Sequence, residues 1–331
     1  MKDKRFRDRK RFGVTKMLSG RHWAVGIVGR GIAVSFIGAT VAFSVLRLAP
    51  GDPVLAILGD RATPDAVEEM RTRLGLDGNV LVQYFRFLGG VVQGDLGTSI
   101  TSNVPVARII LDSIAPTLSL VSLTAVLALV LSVPLGLRLA LAPEGLLSKV
   151  FPVVASLGVA TPGFFLGLLA LLLFAVRWGM APVSGFEPTF PEALAYLWLP
   201  ALVMCAQLVP ILARVFRSSV MRTLDEEFIE AAIVRGVSRY RFYWHYLIRP
   251  SIAPTIALLG FITGQLLGAS VMIEMVFSMP GIGTRLVRAV TARDYPTVQG
   301  ILLVFGVLVV VITTLSELLI KYLDPRAGSD R

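Results

Sequence analysis

Residues 150–176 read VFPVVASLGVATPGFFLGLLALLLFAV, 27 positions without a charge between Lys149 and Arg177. A helix needs roughly 20 mostly apolar residues to cross the hydrocarbon of a bilayer, so this stretch is read as a membrane span. Four other runs read the same way. Asp112 and Arg138 enclose 25 uncharged residues, Glu192 and Arg214 enclose 21, Arg249 and Glu274 enclose 24, and Asp294 and Glu317 enclose 22. The runs place spans at about 115–137, 150–176, 194–213, 254–275 and 297–317. A sixth span, at about 23–46, carries one charge, Arg30, close enough to its start to reach the headgroups. It follows a basic stretch but exceeds a signal-peptide core of about 7–15 residues, and no small-residue cleavage site follows it.

Composition agrees. Of the 331 residues 55% are hydrophobic and 16% charged, where soluble domains carry about 25% charge. One cysteine, Cys205, excludes a disulfide scaffold. Lys and Arg in alternate loops number 21 on one side (9 in residues 1–22, 2 around 138–149, 7 in 214–249, 3 after Ile320) and 10 on the other. That bias predicts cytoplasmic termini. It also accounts for the net charge of +10 without a nucleic-acid partner. Residues 1–22 form a basic tail suited to adhesion to anionic lipid.

Two stretches stand outside the spans. Residues 49–112 form an outer-face insertion, too small for a catalytic domain and suited to a cap or docking surface. In it a short helix is predicted: Thr63 caps, Pro64 opens, Asp65, Glu68 and Glu69 come early, Arg71 and Arg73 late, and Gly75 ends it. Gln83-Tyr84 lies on a second amphipathic segment. The cytoplasmic loop 214–249 predicts two helices. The first runs over 224–235, with Asp225, Glu226 and Glu227 at its positive end, and Gly236 stops it. The second, 239–248, is basic and aromatic, with Ser238 as its cap. Together they make a projecting knob, shaped for docking rather than catalysis.

No chemistry of its own is legible. The chain lacks the G-x-x-x-x-G-K-[ST] phosphate loop, its two histidines (His22, His245) make no metal cage, and Ser184-Gly185 fails the nucleophile-elbow spacing. Gly260, Gly264 and Gly268 recur every fourth residue, as Gly163 and Gly167 do once, a spacing that lets helix backbones approach closely. The polar residues of the fifth span are Thr263, Gln265, Ser270 and Glu274; the last three, with Gln207 of the fourth, are candidates for an aqueous path. Glu274 lies either in the outer interface or at an outer gate. A secondary transporter is disfavoured because every carboxylate falls outside the runs or at their edges.

The chain resembles the inner-membrane permease subunits of ATP-binding cassette importers, in the dipeptide/oligopeptide/nickel group. The knob is similar to that superfamily's Glu-Ala-Ala loop, as Glu230-Ala231-Ala232 followed, after three residues, by Gly236. Group markers run along nearly the whole chain: Pro50-Gly51-Asp52-Pro53, Leu74-Gly75-Leu76-Asp77, Gly94-Asp95-Leu96-Gly97-Thr98-Ser99, Pro116-Thr117-Leu118, Leu199-Pro200-Ala201 and Arg217-Ser218-Ser219. They continue with Glu274 and Val276-Phe277-Ser278-Met279-Pro280-Gly281-Ile282-Gly283, Asp294-Tyr295-Pro296-Thr297-Val298-Gln299-Gly300, and Asp324-Pro325-Arg326.

The resemblance implies an all-α membrane protein with the type I importer permease fold. It would sit in a bacterial inner membrane and form half of a path for peptides or similar small solutes. The partners implied are a second homologous permease, two ATPase subunits that bind ATP and Mg, an extracytoplasmic substrate-binding protein and the surrounding lipid. This chain would hold no cofactor and perform no catalysis. Glu230, Ala231, Ala232 and Gly236 would couple it to the ATPases.

Overall fold

The computed structural model describes residues 29, 31–44, 53–59, 63–73 and 78–323. The basic tail, the markers at 50–52, 74–77 and 324–326, and most of the flanks of the first span lie outside the described residues. Helix α1 is Gly31–Ser44, the described part of that span. The region between α1 and the next span holds three short helices, α2 (Pro53–Leu58), α3 (Pro64–Arg73) and α4 (Val80–Gln93). Thr63 caps α3 as expected, its Oγ1 accepting from the Ala66 N–H at 3.4 Å. Helix α4 leans on α1, where Tyr84 shares a hydrogen bond with Thr40 at 2.7 Å and sets its ring edge-on to Phe43.

Helices α5 (Val106–Leu141) and α8 (Glu192–Leu224) form the spine. At 36 and 33 residues each is about 50 Å long, well beyond the roughly 30 Å of hydrocarbon. They run parallel at close range because Gly136 has no side chain. A Cβ there would meet the Ala213 carbonyl oxygen at 2.7 Å. Arg217 locks the same crossing by donating from Nε to the Leu139 carbonyl at 3.2 Å. Leu120, Val203, Met204, Leu208 and Leu212 fill the core between them, with Leu266 and Leu267 of α12 (Ala253–Val276). Helix α14 (Tyr295–Leu323) packs on α12. Gly260 is the reason: a Cβ there would overlap Ser316, and one at Gly264 would fall 3.2 Å from Val309. Gly268, the third of that spacing, has open space beside it.

Three expectations change. The stretch 150–176 is not one helix but two, α6 (Leu146–Ala160) and α7 (Gly163–Ala170), the second continued by a wide π-helical turn at Leu171–Arg177. The two segments are bent by 99°. Pro162 has no N–H to continue α6, and Thr161 before it takes extended backbone at φ −81°, ψ 128°. The pair still traverses the bundle, since Phe151 lies under Arg214 at one end and Phe174 meets Trp198 at the other. Second, the 214–249 stretch begins as helix rather than loop, because α8 runs on to Leu224. Third, the helix expected over 224–235 is broken at Asp225 and Glu226, leaving α9 as Glu227–Val234. Among the described residues α5, α8, α12 and α14 are each long and apolar enough to cross a membrane, and the bent pair is so when its two halves are taken together as one span.

Candidate coupling surface and translocation groove

The elbow between α6 and α7 shapes the first candidate site. Irregular backbone at membrane depth is tolerated only where protein or a water-lined cavity satisfies its polar groups. Here Gln207 of α8 does so, its Nε2 donating to the Thr161 carbonyl at 2.8 Å. Beside this contact α7, α8 and α12 enclose a groove of about 310 Å³. Its polar lining comes from Gln207 and Gln265, and Phe164, Met204, Leu208 and Met272 supply apolar walls. Two of the four path candidates therefore meet on one surface.

The other two do not. Ser270 and Glu274 are fully buried, and neither lines the groove. Glu274, read as lying either in the outer interface or at an outer gate, has its carboxylate inside the chain, where it knits three segments together. Oε1 accepts from the Thr117 hydroxyl at 2.7 Å and from Ser270 at 3.4 Å, and Oε2 accepts from the Thr284 N–H at 3.1 Å. Thr284 stands in the first turn of α13 (Ile282–Thr291), whose positive end favours an anion. The Thr117 hydroxyl in turn accepts from the Ile282 N–H at 2.9 Å. Gly281 and Gly283 make the room, for a Cβ at either would run into the carboxyl group.

A second carboxylate, Asp294, works alike at the head of α14. It is 3% exposed and accepts from Ser99, Thr101 and Thr297 hydroxyls and from the Ile100 N–H. The marker stretches 94–99 and 294–300 thus meet in space, as 116–118 meets 274–283. The sequence displays each stretch but not the pairing, and Thr117 and Asp294 stood out there only as members of those stretches, not as partners. Thr263, by contrast, only bonds back to its own helix, at the Leu259 carbonyl.

The knob sits on the opposite end of the spine. Helix α9 turns Ile229 and Ala232 inward and leaves Glu230, Ala231, Ile233 and Val234 exposed. Gly236 follows at φ +63°, a conformation that L side chains adopt at some cost, with no atom within 4 Å of where a Cβ would stand. Three consecutive helical segments return the chain: α10 (Arg239–Arg241), a π-helical turn at Phe242–Ile248, and α11 (Arg249–Ser251). The second helix therefore extends past 248, and Ser238 precedes it without a side-chain cap. Phe228 against Tyr246, at 6.3 Å, ties α9 to this return. Thr223 and Ser251, bonded at 2.8 Å and buried, tie the return to α8. Four of the coupling candidates, Glu230, Ala231, Ala232 and Gly236, thus lie together on one rigid projection, with Ala232 serving its interior.

The family model described as "Binding-protein-dependent transport system inner membrane component" matches residues 132–329, and its N-terminal companion matches 24–121. The chain belongs to this family of inner-membrane permeases. It is an integral inner-membrane permease subunit of the ATP-binding cassette importers and a transport component rather than an enzyme. A chain of Brucella suis biovar 1 named for a peptide transport system permease is 36% identical over 92% of this chain and 98% of its own length. A peptide ABC transporter permease protein of Sinorhizobium fredii is 30% identical, over 89% of this chain and 95% of its own. The nickel import system permease protein NikB of Staphylococcus aureus is 32% identical, over 89% and 88%. Membership also decides against the secondary-transporter reading.

Proposed function

We propose that this permease encloses one half of the translocation path of an importer for peptides or comparably small solutes. A second, related permease encloses the other half. Two ATPase subunits, which hold ATP and Mg, each receive a knob of this kind in a surface groove. A substrate-binding protein delivers at the outer region. Helix α1 belongs to a sixth crossing, and both termini face the cytoplasm, on the knob's side. Support for the substrate class is the naming of relatives for peptide and for nickel import.

The observation that carries the coupling role is the mounting of the knob. Helix α8 is one rod from the groove residue Gln207 to Leu224, and α9 is fastened to its end through Ser251, Tyr246 and Phe228. A push on α9 therefore moves Gln207 rather than bending a loop. Coupling of this kind requires the knob to bind its partner differently in the two states, or no work is transferred. In this reading Gln207 and Gln265 line the path, and Ser270 and Glu274 hold its outer end together.

Purification from mild-detergent membranes, followed by ATPase assay with a peptide-loaded binding protein, tests the proposal. The expected result is recovery of a second permease and phosphate-loop ATPases, with hydrolysis stimulated by the loaded binding protein. Recovery of this chain alone, without ATPase activity, would contradict it.

A further inference from the structure

A second groove, about 370 Å³ in volume, opens between α5, α6 and α8 on the knob's side of the elbow. Its walls are Leu131 and Leu135, Val150 and Val154, Leu202 and Val209, and no lining side chain carries an oxygen or nitrogen. Leu131, Val150, Val154 and Leu202 are exposed, so the groove faces outward from the bundle. Its depth follows from small residues: Ala155 and Ala206 line the floor, and at Gly158 a Cβ would come 3.0 Å from the Ala206 carbonyl.

What stands at its mouth is cationic. Arg214 places its guanidinium 5.9 Å from the ring centre of Phe151, itself a lining residue. Lys149 precedes Phe151 by two residues, and Arg138 closes α5 beside the 142–145 turn into α6. Each of the three is the first charge bounding the uncharged run of its helix. They therefore mark one headgroup level, from which the groove descends into hydrocarbon. Glu144 stands 4.0 Å from Lys149 with both side chains largely exposed, a pairing of little strength.

We propose that this groove holds an acyl chain of an anionic phospholipid, whose phosphate sits among Arg214, Lys149 and Arg138. Lipid is the occupant that matches both halves of the site, an apolar slot at hydrocarbon depth and positive charge at the phosphate level. Bound there, it wedges α6 against the α5–α8 spine directly below the elbow that shapes the translocation groove. The proposal goes beyond the transport reading and does not depend on it.

The test is native mass spectrometry of the purified complex, delipidated and then titrated with phosphatidylglycerol or with phosphatidylcholine of the same chains. Phosphatidylglycerol is expected to be retained preferentially. Arg214→Gln should lower its retention about fivefold, the share of one cation near an anionic lipid. Val154→Trp fills the slot while leaving every cation in place, and should abolish the preference. Equal retention of the two lipids would overturn the proposal, as would undiminished phosphatidylglycerol binding in the Val154→Trp complex. So would efficient cross-linking of a Val154→Cys chain to the second permease, which would make the groove a protein interface. Because none of these measurements involves transport, their failure is separable from failure of the importer reading.

Discussion

Glu274 owes its position to hydrogen bonds rather than to a counter-ion. Burying a carboxylate is costly unless its oxygens are satisfied, and here Thr117, Ser270 and the first turn of α13 satisfy them. Glu274→Ala leaves the Thr117 hydroxyl and the Thr284 N–H without that acceptor, at about 1–3 kcal/mol for each stranded group. Thermal unfolding of the purified complex should therefore show a clear loss for Glu274→Ala and a smaller one for Glu274→Gln, which keeps the shape and one acceptor. Equal melting of parent and Glu274→Ala would contradict the role. Gln207 is argued in the same way. Gln207→Leu removes the donor that answers the Thr161 carbonyl at the elbow, so a loss of about 1–3 kcal/mol is expected on the same assay. An unchanged melting temperature would mean that water or another group satisfies that carbonyl.

Among the elements, the uncharged runs announced α5, α8, α12 and α14 because hydrocarbon tolerates so few charges. Their true lengths were hidden, since nothing in a charge count stops a helix from continuing into water. Helix α8 does so for ten residues past Arg214. The break between α6 and α7 was spelled out by Thr161-Pro162-Gly163, but a proline within a span does not by itself say kink or corner, as Pro116 and Pro134 inside α5 show. The glycine spacing in α12 was legible as a packing face, though not which members are used. Gly260→Val should collide with Ser316 and cost about 1–3 kcal/mol, as overpacking does. Gly268→Ala meets open space and should stay within about 0.5 kcal/mol. Denaturation of the two variants side by side checks this, and equal losses would contradict the assignment of the face.

At the scale of the whole molecule, the sequence displays the membrane class, the knob and the run of family markers. The pairing of markers across the fold, 94–99 with 294–300 and 116–118 with 274–283, depends on tertiary packing that no local pattern encodes. That packing gives the chain one braced end and, at the other, a rod bearing the knob, with the groove between them. The central claim is that the knob transmits the ATPase stroke, and Gly236 is where to test it. A side chain there would project into empty space, so within the chain only the positive φ is strained, whereas a docked partner would meet the added bulk. Asn, which accepts left-handed backbone better than other L-residues, supplies the control. The measurement is uptake of labelled peptide into proteoliposomes holding the full complex and binding protein, alongside ATP hydrolysis. Gly236→Trp is expected to abolish uptake and to release hydrolysis from control by the loaded binding protein, with Gly236→Asn close to the parent. Full, ATP-dependent uptake by the Gly236→Trp complex would contradict the account.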